Sequence, residues 1–133
     1  MLAVLAVAGA RAAELRASTP EVRKEVVAVI EAQLAAFREQ DPAAAWSYAS
    51  RELRAARPLR VFTILVRDNY PEIWGNTRAE YGLVRDDAAR ATLAVHVYAG
   101  EKSAAYEFTL VRERAGWRVA AVLRAVPPQK GKV

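Results

Sequence analysis

The sequence predicts an α+β fold, with N-terminal helices packed on one face of a four-stranded antiparallel sheet. Apolar residues recur at three- and four-residue spacing up to about Asn69, the helical period. Beyond Asn76 the period changes to two, the strand period. Short turn signals separate the two-period segments, so the strands follow one another as hairpins.

The first helix starts at Thr19-Pro20-Glu21: a hydroxyl cap, a proline whose missing N–H is not needed there, and an acid near the positive end of the dipole. Val22, Val26, Val29, Ile30, Leu34 and Phe37 form its apolar stripe, with Glu25, Glu31, Arg38 and Glu39 opposite, and it ends near Gln40. Asp41-Pro42 repeats the start signal for a second helix from Ala43 to about Ala49, carrying Trp46 and Tyr48. Ser50 caps one more turn through Leu53. Pro58 opens a third helix with Val61, Phe62, Leu65 and Val66. That helix stops at Asn69-Tyr70, because Pro71 disfavours helical geometry in the residue before it. Pro71 to Asn76 reads as a connection.

Arg78 to Arg85 is the first strand, with weak alternation. In the second strand Leu93, Val95 and Val97 face the core, against Thr92, His96 and Tyr98. In the third Tyr106, Phe108 and Leu110 do so, against Glu107, Thr109 and Val111. In the last Trp117, Val119, Ala121 and Leu123 do so, against Arg118, Val122 and Arg124. Asp86-Asp87, Gly100-Glu101 and Ala115-Gly116 are the turns.

Composition narrows the chemistry. The 133 residues suit one domain, expected over residues 13–126. There is no cysteine, which removes thiol nucleophiles and thiolate metal sites. The formal net charge of +5 is spread rather than massed. Arg51, Arg54, Arg57 and Arg60 make the one dense basic run, interrupted by Glu52, and the pattern does not predict nucleic-acid binding. Met1 to Ala10 is apolar and too short to span a bilayer, and Ala10-Arg11-Ala12 has the small-x-small form of a cleavage site. Residues 1–12 are therefore expected to be a signal peptide. The mature chain is expected to start at Ala13, to lack a transmembrane segment and to be exported, to a bacterial periplasm. Residues 127–133, rich in Pro, Gly and Lys, read as a loose tail.

The order of elements is similar to the nuclear-transport-factor-like cone fold. Within it, Glu31 to Phe37, Trp46-Ser47-Tyr48-Ala49-Ser50, Asn69-Tyr70-Pro71 and Gly116-Trp117-Arg118-Val119 resemble a bacterial family known only as a domain of unknown function, family 4864. The resemblance spans roughly Val22 to Leu123. It implies a curved sheet closed by helices into a conical pocket, often paired through the outer sheet face, and it implies no activity.

Candidate chemistry is sparse. His96 is the only histidine, so a site with several histidine ligands is excluded; no metal, cofactor or catalytic residue is expected. Trp46, Tyr48, Tyr70, Trp74 and Tyr81 are placed to line the cone and receive a small apolar ligand, or simply to fill it. His96, Tyr98, Val111 and Val122 share the outer face and are expected at a homodimer interface. The reading is an exported, non-enzymatic binding or interaction domain. Two alternatives stay open: a small isomerase- or dehydratase-type enzyme using Tyr70 with Asp68, and an envelope protein whose arginines meet anionic surfaces.

Overall fold

A computed structural model describes residues 14–125; the leader expected over residues 1–12 and the tail expected over 127–133 lie outside them. The described residues run β1 (Arg16–Ala17), α1 (Pro20–Arg38), α2 (Pro42–Ser47), α3 (Arg51–Ala56), α4 (Leu59–Asn69), α5 (Pro71–Trp74), β2 (Arg78–Tyr81), β3 (Arg85–Asp86), β4 (Arg90–Ala99), β5 (Lys102–Glu113) and β6 (Gly116–Arg124). The architecture is α+β, with helices beside a curved, unclosed antiparallel sheet.

Local chemistry sets the helix boundaries. Thr19, Asp41 and Ser50 each accept a backbone N–H at their helix start, from Val22, Ala44 and Leu53 respectively. At the far end of α1, Asp41 N–H reaches the Ala36 carbonyl and Gln40 N–H reaches that of Phe37, both at 2.9 Å. This is the Schellman closure, and it puts Gln40 at a φ of 59°, where glycine is the usual occupant. Pro71 ends α4 as expected, but the chain after it is not a plain connection: Pro71–Trp74 forms the helical turn α5. Proline is well tolerated at the first position of a helix, so the residue that stops one helix starts the next.

The sheet has six strands rather than the four expected from the alternation. Two of the differences lie at one edge. The expected first strand is broken into β2 and β3, both paired with β4. Three residues, Gly82 to Val84, separate the last pair of β2 from the first of β3, while β4 uses two. A Cβ on Gly82 would come within 3.2 Å of the Ala94 carbonyl, so the close approach suits glycine. Beyond β3, the two-residue β1 adds an edge too short to show any period.

A third difference lies in β6 and changes which side chains face inward. The β5–β6 ladder pairs Leu110 with Val119 but Thr109 with Ala121, leaving Ala120 without a partner. A bulge of one residue reverses the facing of everything after it. Val122 therefore pairs with Phe108 on the helical side and packs against the core, and Leu123 points outward, 63% exposed. The expectation that Val122 lies on the outer face and Leu123 on the inner one is corrected by this bulge.

The core is one cluster between the helices and the inner sheet face. Val26, Ile30, Leu34 and Phe37 of α1 meet Leu93, Val95 and Val97 of β4, Tyr106, Phe108 and Leu110 of β5, and Trp117 and Val119 of β6. The free edge of β6 is partly covered: Val119 donates to the Tyr48 carbonyl and accepts from Ser50 N–H, a parallel bridge to Ala49. That bridge takes up edge groups that would otherwise be open to pairing, and it holds α3 beside the β5–β6 hairpin.

Candidate functional site

An apolar cavity of about 90 Å³ lies where α1 and α4 meet β6. Phe37 from α1, Phe62, Leu65 and Val66 from α4, and Val119 and Val122 from β6 supply most of its wall. Phe37 and Phe62 stack with ring centres 6.1 Å apart. Two lining side chains are polar, and both are committed to backbone. Gln33, 4% exposed, donates from Nε2 to the Ala45 carbonyl at 3.1 Å, and the Tyr70 phenol donates to the Val122 carbonyl at 3.2 Å. Val122 reaches this wall only because of the bulge.

The five aromatic residues expected to line one pocket are scattered. Tyr70 alone lines the cavity. Trp46 faces a second, open groove and donates from Nε1 to the Arg57 carbonyl. Tyr48 is half-buried in the segment that bridges to Val119. Trp74 packs on Phe37 with ring centres 5.9 Å apart. Tyr81 donates to Glu31, which also pairs with Arg38 at 2.6 Å. Glu31, on the polar side of α1, thus ties that helix to β2. Burial and the Glu31 carboxylate push the Tyr81 phenol well above its usual range.

The proposed pairing of Tyr70 with Asp68 does not form. Asp68 is exposed and bonds Arg67 at 2.9 Å, which holds its carboxyl below the usual range. The buried acid near Tyr70 is Glu72, 9% exposed. The Tyr106 phenol, itself fully buried, donates to Glu72 Oε1 at 2.7 Å, and Arg124 pairs with the same oxygen. Burial alone would raise the Glu72 carboxyl. The Tyr106 hydrogen bond, its own backbone and Arg124 outweigh that and hold it below the usual range. Such a carboxylate stays ionised and occupied, which suits fastening α5 to β5 and β6 better than taking up a proton. Sequence reasoning missed this triad, although a phenol on an inward strand position signals that some partner must meet it.

On the outer sheet face, His96 and Tyr98 stack with ring centres 4.7 Å apart. Tyr98 donates to Glu80 at 3.0 Å, and the Arg78 guanidinium lies 3.8 Å from the Tyr98 ring centre. Val111 shares this face, directly across from Arg90; Val122 does not. Among the described residues no cluster of three or more His, Asp or Glu could hold a metal ion, and no helix is long and apolar enough to cross a membrane.

Helices beside a curved antiparallel sheet, with a small apolar cavity between the layers, define the class structurally. The chain belongs to the family described as Domain of unknown function (DUF4864), whose pattern matches residues 19–131. Comparison with curated proteins and with solved structures finds no match.

Proposed function

We propose that this chain is a non-enzymatic binding domain that takes a small apolar group into the cavity between α1, α4 and β6. The observation that carries the reading is the cavity's wall: hydrocarbon and aromatic side chains, with its two polar groups already bonded to backbone. Its volume of about 90 Å³ is below the roughly 300–1,000 Å³ of pockets that enclose whole drug-sized molecules. The occupant is therefore a single ring or a short alkyl chain, comparable to the benzene held by dry apolar cavities of about 150 Å³. Titration with toluene, followed by amide and methyl chemical shifts, tests it. Saturable shifts at Phe62, Val66 and Val122 are expected, and Leu65→Trp, which narrows the cavity from its half-buried α4 wall, should abolish them. Unsaturable or scattered shifts would remove the proposal.

The same reading places the domain outside the cytoplasm and in a homodimer. Export is supported by the apolar Met1–Ala10 segment followed by Ala10-Arg11-Ala12. Mass spectrometry of the native N-terminus should find Ala13 first. Pairing through the outer sheet face is supported by its half-buried His96, Tyr98 and Val111 together with the exposed Leu123. Analytical ultracentrifugation at micromolar concentration should show a dimer that Val111→Asp dissociates. The cone-like superfamily is supported by the order of elements and the open, curved sheet.

A further inference from the structure

The second groove, of about 750 Å³, runs between α3 and the β5–β6 hairpin and is walled by arginines from both. Arg51 and Arg54 come from α3, Arg114 and Arg118 from the hairpin, and Trp46 closes one end. These residues are far apart in sequence. The Ala49–Val119 bridge is what brings the two walls together.

Among the described residues, arginines without a carboxylate partner also occur elsewhere on the surface, Arg60, Arg85 and Arg90 included; this groove gathers four in one concavity. Arg38, Arg67, Arg78 and Arg124 each have a carboxylate partner, at 2.5 to 3.0 Å. Among the described residues, none of the four groove arginines forms such a pair, although two acids line the same groove. Glu113 does not neutralise a guanidinium; it accepts the Arg51 backbone N–H at 2.8 Å. Glu52 is exposed and unpaired with them. Arg54 donates to the Ala49 carbonyl and lies over the Trp46 ring at 5.7 Å, and Arg118 donates to the Trp117 carbonyl, so both are positioned by the fold. Arg51 and Arg114 make no side-chain hydrogen bond among the described residues and present free guanidinium forks. Four cations against two anions in one concave site repel one another, and a multiply charged anion relieves that repulsion.

We propose that this groove binds a phosphoryl group. A planar guanidinium donates two parallel N–H bonds to phosphate oxygens, and opposed walls allow more than one arginine to reach the same group. A monocarboxylate satisfies one arginine and leaves three. The Trp46 face gives the body of the ligand an apolar surface beside the charged end. The phosphoryl group can belong to a soluble molecule or to a lipid headgroup; the recognition chemistry is the same.

Calorimetric titration with pyrophosphate at low salt, using the full-length protein, is the test. Saturable binding is expected, weakening as salt rises. Arg51→Ala and Arg114→Ala, both exposed, should each weaken it about tenfold. Arg60→Ala is the decisive control, because Arg60 belongs to the same basic run in sequence but does not line the groove. It should leave the affinity within about twofold of wild type. Cosedimentation with phosphatidylcholine vesicles, with and without phosphatidic acid, separates the sources. Pyrophosphate-competed binding to the phosphatidic acid vesicles alone assigns a lipid headgroup, and pyrophosphate binding without vesicle binding assigns a soluble phosphate. Absence of saturable pyrophosphate binding overturns the proposal. So does an Arg60→Ala loss equal to that of Arg51→Ala, since attraction to net charge would then suffice.

Discussion

Two Glu–Tyr–Arg triads join helix to sheet in this molecule, and they differ chiefly in how much water reaches them. In one, Glu72 of α5 receives Tyr106 of β5 and Arg124 of β6; in the other, Glu31 of α1 receives Tyr81 of β2 and Arg38 of its own helix. The Glu72 side chain is 12% exposed and the Glu31 side chain 46%. Water can replace a partner lost at Glu31. It cannot easily do so for the phenol of Tyr106, which is fully buried. The same three side-chain types are thus a deep fastening in one place and a surface brace in the other.

Glu72→Ala should produce the largest loss, about 3 kcal/mol, because it strands the Tyr106 hydroxyl and opens space beside it. Urea denaturation reads it as a lower midpoint at unchanged slope. Val122→Asp should cost about 2–3 kcal/mol in the same assay, since the bulge turns this position toward the core beside the triad. Regular alternation would put Val122 outside, and a loss under about half a kcal/mol would show that the bulge is absent in solution. Glu31→Ala should cost about 1 kcal/mol. A loss equal to that of Glu72→Ala would mean burial is not what separates the triads.

The smallest effect is in the acid limb of the stability curve. Glu72 titrates lower in the folded chain than the ordinary value of 4.5, so between those two values the unfolded chain binds more protons. The contribution of Glu72 is fully present above 4.5 and is lost as pH falls through the folded value. Stability measured across that window should fall less steeply for Glu72→Gln than for wild type. Parallel slopes would place the acid sensitivity in other carboxylates.

What could be read from the sequence divides along the range of the interactions involved. The caps at Thr19, Asp41 and Ser50 are local, and each sits where residue type alone indicates. Alternation in β4 and β5 was legible because each inward residue is aliphatic or aromatic and most outward ones are polar. In β6 that contrast fades. Ala120-Ala121 carries no polarity signal, and Val122-Leu123 offers an aliphatic residue to either face, so nothing local records the unpaired Ala120. β1 is too short to have a period. Glu72 follows Pro71 and reads as an ordinary acid at a helix start; its partner Arg124 is 52 positions away. The candidate aromatics were visible as a set, but their dispersal among cavity, groove, core and brace depends on tertiary packing.

The bridge between Ala49 and Val119 also orders events during synthesis. One wall of the arginine groove is made early, with α3, and the other only when the β5–β6 hairpin has left the ribosome. Closing that loop brings together residues seventy positions apart, a contact that cannot form before Val119 has been synthesised. Until then Val119 and its share of the cavity wall are missing as well, so a nascent chain carries neither concavity complete. Both appear together with the last strand, and a chain truncated before Val119 would lose the two sites at once.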